Sequence, residues 1–267
     1  MGTRILLIGC GKMGGALLHG WRADPSLGPF VTVEPGDGDA EFRGLAGVAC
    51  VKRAADIPAA FAPDAIVVAT KPQTMGEALP PYRTLAANAL VLSIAAGRKL
   101  AFLESHLGAV AAIRAMPNTP AAIGRGISIC VANARATPAH RDLATKLMGA
   151  VGEVGWVADE DLIDAVTAVS GSGPAYVFLL AETLAAAGVK AGLPAELAMR
   201  LARATVAGAG ELLHRSPESA EQLRKNVTSP KGTTQAALDV LMAEDGLAPL
   251  LEKAVRAARD RGRELAG

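Results

Sequence analysis

Cysteine, histidine and aromatic residues are all scarce in this chain of 267 residues, in which only 3% of residues are aromatic. The three cysteines, Cys10, Cys50 and Cys130, show no C-x-x-C spacing. The absence of this spacing argues against a thiolate metal site, and the scattered cysteines favour a reducing compartment. The four histidines lie apart from one another and from every motif described below, so we expect neither a metal site nor a catalytic histidine.

Neither sign of charge dominates, since 27 basic residues stand against 26 acidic ones and the formal net charge is +1. No basic block is interleaved with aromatic residues, so nucleic acid is not an expected partner. No apolar run approaches the roughly 18 residues that a membrane span requires, so we expect no membrane insertion and predict a cytoplasmic protein. Hydrophobic residues make up 51% of the chain, an excess that predicts contacts between subunits.

The N-terminal segment MGTRILLIGCGKMGGALLHGW has two incompatible interpretations. Arg4, a short apolar run and Cys10 imitate the order of a lipoprotein export signal. A signal needs an apolar stretch of roughly 7–15 residues, whereas only four precede Gly9. A run of four does suit a parallel strand that is buried on both faces. The segment therefore predicts a strand, a glycine-rich turn and a helix.

The pattern G-x-G-x-x-G in this turn is typical of a dinucleotide site. Gly9 permits a tight turn, Gly11 lets the backbone approach a pyrophosphate, and Gly14 lets the helix pack close to the strand. Free N–H groups at the helix start favour phosphate. The predicted cofactor contacts here are Ile8, Gly9, Cys10, Gly11, Lys12, Met13 and Gly14.

Strand and helix patterns alternate up to about residue 158, and helical patterns alone follow. Predicted strands cover residues 4–8, 30–33, 65–69, 89–94, 110–114, 126–131 and 152–157. Predicted helices of the second part cover 160–169, 174–188, 195–214, 217–226, 233–243 and 247–265. The fold class is therefore α/β, with a Rossmann-type doubly wound sheet (residues 1–158) followed by an all-α domain (residues 159–267).

The ends of three predicted strands complete the expected cofactor edge, because ligands of such sheets bind outside the carboxyl ends of the strands. Glu34 follows the second strand, where an acidic residue binds the adenosine ribose and repels a 2′-phosphate, which favours NADH over NADPH. Glu34 is otherwise an ordinary polar loop residue, and Lys71 is either a cofactor contact or a solvated charge. The remaining predicted contacts are Ala69, Thr70, Lys71, Pro72, Ala95, Ala96 and Gly97.

Three further loops are candidates for substrate contacts. Asn118, in the rigid MPNTP segment, either acts on the substrate or caps a turn. The segment SGSGPA at 170–175, which contains Ser172, interrupts helical sequence, a costly feature unless the backbone must approach a ligand. The loop at 227–234 is either a nest of N–H donors for a carboxylate or an ordinary capped helix. Because no histidine or carboxylate pair attends these loops, the chemistry favours an already electrophilic acceptor such as a protonated imine.

The chain resembles the pyrroline-5-carboxylate reductase family in seven ordered segments of both domains. They are GCGKMG (9–14), KP (71–72), SIAAG (93–97), MPNTP (116–120), DLIDAVT (161–167), SGSGPAY (170–176) and VTSPKGTT (227–234).

The resemblance implies reduction of the cyclic imino carboxylate Δ1-pyrroline-5-carboxylate to L-proline by NADPH or NADH. It implies that the loop starting at Ser229 holds the substrate carboxylate on the amides of Lys231, Gly232 and Thr233, while Thr234 bonds the ring nitrogen. Ser172 then belongs to the wall beside the reacting centre. The resemblance further implies a homodimer through the helical domain, with further assembly into a decamer in many members.

Lys231 departs from the glycine found in many members, and at a positive φ it adds strain of order 1 kcal/mol. Ala54 stands near the place of a ribose-contacting asparagine, and Glu34 favours NADH where many relatives use NADPH. Three alternatives stay open: a β-hydroxyacid dehydrogenase, a broader imine reductase and a cofactor-binding regulator. A β-hydroxyacid dehydrogenase requires a catalytic lysine after the glycine-rich motif of its helical domain, whereas residues 171–184 of this chain contain no lysine.

Overall fold

A computed structural model describes the backbone of residues 2–266 and the side chains of residues 2–265. Eight strands form one sheet within this range. They are β1 (Thr3–Ile8), β2 (Leu27–Val33), β3 (Val48–Val51), β4 (Ala65–Val68), β5 (Leu90–Ser93), β6 (Ala111–Met116), β7 (Gly126–Ala132) and β8 (Gly152–Trp156).

Helices connect the strands and then make up the rest of the chain. They are α1 (Lys12–Arg22), α2 (Met75–Ala78), α3 (Arg83–Ala86), α4 (Leu100–Leu107), α5 (Pro138–Gly149), α6 (Leu162–Val166), α7 (Gly173–Lys190), α8 (Ala195–Arg215), α9 (Ala220–Asn226), α10 (Thr233–Leu241) and α11 (Leu247–Ala266). Short 3₁₀ turns lie at Ala40–Phe42, Ala54–Asp56, Pro80–Tyr82 and Thr119–Ile123, and a π-helical turn lies at Thr167–Gly171.

The strand order is β3-β2-β1-β4-β5-β6-β7-β8, which confirms the predicted doubly wound α/β class. Strands β1 to β6 run parallel, β7 is antiparallel to β6, and β8 is parallel to β7. The sequence analysis missed β3, a strand of four half-buried residues at the sheet edge. Such a strand is too short to show either a buried run or a clear alternation.

Both faces of the sheet are buried, which explains the unbroken apolar run of β1. Ile5 and Leu7 face one core cluster, which includes Trp21 of α1, whereas Leu6 and Ile8 face the other. The Trp21 indole N–H donates to the carbonyl of Leu147 at 2.8 Å, so this large ring is buried without an unpaired donor. Because β1 to β6 also run parallel, their carboxyl ends, and the loops that follow them, lie at one edge of the sheet.

Two compact units make up the chain. The first contains the residues up to Gly171 and those from Ala258 onward, and the second runs from Ser172 to Ala257. Within the second unit, α7 and α8 approach closely, since a Cβ on Gly188 would lie 3.3 Å from the Cβ of Ala198. Large apolar side chains of this unit remain exposed, including Phe178, Leu212 and Leu250.

The segment from 170 to 175 interrupts the α-helical pattern, as the sequence predicts. The π turn ends at Gly171, Ser172 is a bend, and α7 begins at Gly173. Pro174 has no N–H to donate to a preceding carbonyl, and the hydroxyls of Thr167 and Ser170 donate to the carbonyls of Ile163 and Val166. These features widen the helical turn between α6 and α7.

One helical stretch, Leu162–Lys190, is long and apolar enough to cross a membrane by length and composition alone. Its mean hydropathy is 1.3 over the most apolar window, of which 17% is buried. The prediction of no membrane insertion rested on the lack of an uninterrupted apolar run. This stretch is not such a run, because small and polar residues are spread along it. The same composition suits a helix that packs against another subunit.

Candidate active site

The three glycines of the turn after β1 occupy three different environments. Gly9 has a φ of +86°, and a Cβ there would lie 2.9 Å from the carbonyl oxygen of Ala69. A Cβ on Gly14 would lie 2.5 Å from the carbonyl oxygen of Gly9, so α1 packs directly on the turn. A Cβ on Gly11 would meet no atom within 4 Å, so open space adjoins the backbone there. This arrangement suits a pyrophosphate held against the turn.

Helix α1 begins without a side-chain cap, because Gly11 occupies its N-cap position. The first N–H groups of a helix have no partner within it, so the amides of Lys12, Met13 and Gly14 face the open space with the positive end of the helix dipole. Lys12 is exposed and Met13 half-buried, whereas Ile8 is buried in the core. The turn thus offers backbone donors for an anion, and the Lys12 amine lies at its surface.

Glu34 lies against this turn. Its Oε2 accepts a hydrogen bond from the backbone N–H of Cys10 at 2.8 Å, and its Oε1 accepts one from the N–H of Gly36 at 2.8 Å. The loop after β2 packs closely against the glycine turn, since a Cβ on Gly38 would lie 2.4 Å from the carbonyl oxygen of Cys10. The structure therefore places the Glu34 carboxylate beside the glycine turn, where the remaining lone pairs can accept bonds from ribose hydroxyls.

An ion-pair network that the sequence analysis did not identify holds the loop after β2. Arg43 donates to Asp37 at 2.8 Å and to the fully buried Asp39 at 2.9 Å. Asp39 also accepts a hydrogen bond from the hydroxyl of Thr32 at 3.2 Å. The hydrogen bonds to Asp37 and Asp39 raise the pKa of the Arg43 guanidinium. The positive charge of Arg43 is thus already neutralised by carboxylates, which leaves it poorly suited to bind a 2′-phosphate. The only signal in the sequence was the spacing of acidic residues and one arginine within a short loop.

A cavity of about 550 Å³ adjoins the glycine turn. Its walls come from the turn, α1, the loop after β2 and the 3₁₀ turn after β6; they are Cys10, Gly11, Lys12, Gly15, Ala16, His19, Gly38, Glu41 and Ala122. Burial, and then the negative charge of Asp39, raise the pKa of the Cys10 thiol to about 12. Cys10 is therefore a neutral thiol at physiological pH and acts as a small packing residue.

The loops after β4 and β5 continue this edge of the sheet. The hydroxyl oxygen of Thr70 is buried and has no hydrogen-bond partner among the described residues. Such an orphaned group fits a polar ligand lying beside it. The carbonyl of Lys71 accepts bonds from Thr74, while the Lys71 side chain is exposed. The Arg98 Nε donates to the carbonyl of Pro72 at 3.0 Å, which ties the two loops together.

Small residues form the part of this edge that follows β5. Ala95 is buried, and its N–H donates to the hydroxyl of Ser93 at 3.3 Å. Gly97 has a φ of +67°, and Ala96 is exposed. Together with Ala69 at the end of β4, these positions leave room for a flat ring next to the backbone.

Asn118 has a structural hydrogen bond. Its Oδ1 accepts from the N–H of Ile127 at 2.9 Å, which ties the end of β6 to the start of β7. It also occupies the N-cap position of the 3₁₀ turn Thr119–Ile123, without a side-chain cap bond there. The Nδ2 group makes no hydrogen bond to any described residue, so Asn118 can hold the turn and still donate to a ligand.

The loop at 229–234 lies in the second unit and forms a tight turn before α10. A Cβ on Gly232 would lie 2.4 Å from the hydroxyl oxygen of Ser229 and 3.0 Å from its carbonyl oxygen, so a side chain there would require this turn to shift. The Gly232 N–H donates to the carbonyl of Ser229 at 3.0 Å, and Lys231 has a φ of 59°. Lys231 thus adopts the strained left-handed conformation that the sequence analysis considered.

Helix α10 begins at this turn without a side-chain cap. The amides of Thr233 and Thr234 therefore lack a partner within the helix, and the half-buried Thr234 carries a hydroxyl beside them. Because the Gly232 amide is engaged with Ser229, the donors of the loop without a partner among the described residues are the amides of Lys231, Thr233 and Thr234. In the same unit, Ser172 is the N-cap residue of α7, and its carbonyl accepts from Ala175 at 3.0 Å.

Comparison with known proteins identifies the family. Residues 160–265 match the model for pyrroline-5-carboxylate reductase dimerisation, and residues 4–97 match the model for NADP oxidoreductase, coenzyme F420-dependent. The pyrroline-5-carboxylate reductase of Pseudomonas aeruginosa is 42% identical over 269 residues, covering 98% of this chain and 97% of that protein. The chain belongs to the pyrroline-5-carboxylate reductase family. The resemblance stated from the seven sequence segments is thereby confirmed.

Solved structures of the family agree with this assignment. The pyrroline-5-carboxylate reductase of Coxiella burnetii superposes with a TM-score of 0.91 at 34% identity, and all of both chains is covered. The pyrroline carboxylate reductase of Plasmodium falciparum, solved with NADP bound, gives a TM-score of 0.81 at 28% identity, covering 99% of this chain and 98% of that one. The match of residues 160–265 to a dimerisation domain also supports homo-oligomerisation through the helices.

Proposed function

We propose that this chain reduces Δ1-pyrroline-5-carboxylate to L-proline, the last step of proline biosynthesis, with a reduced nicotinamide dinucleotide. The observation that carries the proposal is the tight loop from Ser229 to Thr234 at an uncapped helix start. The lack of a side chain at Gly232 lets the turn close on Ser229, and the loop presents free amides beside a hydroxyl. A pure cofactor sensor has no need of such a loop.

The first unit supplies the groups that hold the cofactor. The open backbone at Gly11 and the free amides at the start of α1 suit the pyrophosphate, and the Glu34 carboxylate suits the ribose hydroxyls. Thr70 and the small residues after β5 suit the nicotinamide end. The bound nicotinamide supplies a hydride to the imine carbon. The acidic Glu34 and the paired Arg43 favour NADH over NADPH.

The loop in the second unit holds the substrate carboxylate. The amides of Lys231, Thr233 and Thr234 carry most of this role, since the Gly232 amide already bonds Ser229. The exposed Lys231 amine adds a positive charge to the loop, and Ser229 maintains its turn. Asn118 completes the substrate contacts with its free Nδ2 group. A negatively charged substrate group is favoured at a helix N-terminus.

Thr234 and Ser172 position the reacting ring. The Thr234 hydroxyl hydrogen bonds the ring nitrogen, which already bears the proton in the imine cation, so no strong acid has to be supplied. Ser172 lies at the start of α7 and forms part of the wall beside the ring. The absence of a histidine from these segments is consistent with this requirement for orientation alone.

The assembly follows the family model. We assign residues 1–158 to cofactor binding and residues 159–267 to substrate binding and dimerisation, with a homodimer as the basic unit and a decamer as a further assembly. The exposed apolar side chains of α7, α8 and α11 are the surface that such a dimer buries. The reaction belongs to the cytoplasm, where reduced nicotinamide and reduced thiols coexist.

The decisive test is the oxidation of NADH and NADPH, side by side, by the purified full chain with Δ1-pyrroline-5-carboxylate. Turnover with either cofactor supports the reaction, and the ratio reports on Glu34. Tight cofactor binding without turnover would contradict the proposal and favour the regulator. Turnover of other cyclic imines at equal efficiency would favour a broader imine reductase.

A further inference from the structure

A second cavity of about 270 Å³ lies within the first unit. Its walls come from the loops after β4 and β5, from the α6 region and from the end of α11, and include Pro72, Gly97, Arg98, Asp164, Thr167 and Gly262. At about 30 Å³ per water molecule, this volume greatly exceeds the one or two waters that a buried carboxylate needs. The cavity is therefore large enough for a small organic molecule.

Asp164 is the unusual wall residue, because it is a buried acid without a partner. It is only 7% exposed, and its carboxylate makes no hydrogen bond or ion pair with any described residue. The nearby Lys99 forms its ion pair with Asp161 at 3.1 Å and acts on Asp164 only as a weaker charge interaction across a longer distance. A buried carboxylate without a donor is costly, so its position on the cavity wall points to a cationic ligand.

Arg98 gives the same cavity a positive group. Its Nε donates to the carbonyl of Pro72 at 3.0 Å, and its guanidinium lies 4.7 Å from the ring centroid of Phe102. The two terminal nitrogens make no hydrogen bond to the part of the chain that the structure describes. A guanidinium held by its Nε and by a ring presents its remaining donors in a fixed plane, which suits a carboxylate.

Gly262 provides the space between these walls. A Cβ at this position would lie 3.6 Å from Oδ1 of Asp164, which is ordinary van der Waals contact, so a small side chain fits but a large one would enter the cavity. The other wall residues add the hydroxyl of Thr167, the amide of Gln73 and apolar surface from residues such as Leu265. The space thus combines one anion, one cation, neutral polar groups and apolar surface.

We propose that this cavity binds a small zwitterionic amino acid with an apolar side chain, its ammonium group on Asp164 and its carboxylate on Arg98. No residue of the loop from Ser229 to Thr234 lines this cavity, and binding there requires no turnover. Pro72, Ala96 and Gly97 line the cavity and also belong to the proposed cofactor edge. Occupancy and cofactor affinity therefore influence each other by the same factor.

The test is calorimetric titration of the full chain with L-valine and L-proline, alongside isobutylamine and isovalerate, which each keep one charge of valine. We expect saturable binding of a zwitterion, and binding of each single-charge analogue that is weaker by about tenfold or more. Asp164→Asn should weaken zwitterion binding by a similar factor. Asp142→Asn is the matched control, because it removes the same charge from an exposed residue of α5 that does not line the cavity, and it should leave binding unchanged.

Gly262→Leu tests the cavity without touching a charge, and Gly262→Ala is its control. The leucine variant should lose binding, whereas the alanine variant should keep it. Loss of L-proline binding in Thr234→Ala, with no effect of Asp164→Asn, would assign the signal to the proposed substrate loop and overturn this site. Absence of saturable binding of both amino acids to the wild-type chain would also overturn it, whatever the reductase assay shows.

Discussion

The Glu34 carboxylate and the backbone amide of Cys10 are joined by a hydrogen bond of 2.8 Å. This bond connects the end of β2 to the glycine turn after β1. The carboxylate therefore has a fixed position at the place where the adenosine ribose of a dinucleotide is expected. Its negative charge is close to any phosphate carried on that ribose.

Removing the Glu34 charge should change the cofactor preference. The wild-type chain should show a lower KM for NADH than for NADPH. Glu34→Gln keeps an acceptor for the Cys10 amide but removes the repulsion of a 2′-phosphate, so the ratio of kcat/KM for NADPH to that for NADH should rise about tenfold or more. Initial rates with both cofactors measure the ratio.

Glu41→Gln is the control for this substitution, because Glu41 also lines the 550 Å³ cavity but pairs with His19 at 3.1 Å. It should leave the ratio unchanged. A wild-type preference for NADPH, or an unchanged ratio in Glu34→Gln, would mean that the carboxylate only holds the glycine turn.

Thr234 should matter for turnover and not for cofactor binding. Thr234→Ala removes the proposed hydrogen bond to the ring nitrogen and should lower kcat/KM about tenfold or more, with an unchanged Kd for NADH. Thr234→Ser should retain most of the activity because it keeps the hydroxyl. Thr233→Ala is the matched control at the neighbouring, exposed position of α10. Equal kcat/KM for Thr234→Ala and wild type would refute the role.

The left-handed conformation of Lys231, with its φ of 59°, should lower the free energy of unfolding by a measurable amount. Lys231→Gly should raise the free energy of unfolding by about 1 kcal/mol, because glycine adopts this conformation without Cβ strain. Lys231→Ala removes the amine but retains the strain, so its stability should stay near that of wild type. Urea unfolding compares the three proteins, and a Lys231→Gly variant no more stable than wild type contradicts the expectation.

The same pair of variants separates strain from charge in the substrate loop. If the Lys231 amine contributes to carboxylate binding, both variants should raise the KM for the imino carboxylate by a similar factor. A rise in KM in only one of them would show that loop geometry, and not the amine, controls affinity.

Two of the three thiols should resist modification in the native protein. Burial raises the pKa of both Cys10 and Cys130 to about 12, and both side chains are buried, whereas Cys50 is half-buried. A disulfide reagent near pH 8 should therefore label Cys50 first, and peptide mapping should show it. Cys50→Ser should abolish rapid labelling, and rapid labelling of Cys10 would contradict the buried environment.

The raised thiol pKa values also predict the direction of a pH effect on stability. A thiol that holds its proton more tightly in the folded protein stabilises the fold fully below its unfolded pKa, about 8.5. This contribution is lost as the pH rises from there towards about 12. Cys130→Ala should make the alkaline decline of the unfolding free energy shallower, as urea unfolding at several pH values can measure.

Local patterns predicted the fold class and most strands, because burial on both faces produces an unbroken apolar run such as that of β1. The same patterns missed β3, whose half-buried residues take their strand conformation from pairing with β2. They did predict the break before α7, but not that it takes the form of a π turn with hydroxyl bonds to the preceding carbonyls. Pairing and helix register depend on neighbours that a short window of sequence does not contain.

The sequence by itself determined the glycine turn after β1, because at Gly9 only a residue without a Cβ fits the backbone, and it indicated the turn before α10, where a Cβ on Gly232 would crowd Ser229. Family membership followed from the order of such local segments. Tertiary structure alone decided that Glu34 reaches the amide of Cys10 and that Asp164 lines a cavity without a hydrogen-bond partner among the described residues. The physical reason is distance along the chain: these relationships join residues far apart in sequence, and only the packing of the sheet, its loops and α11 brings them together.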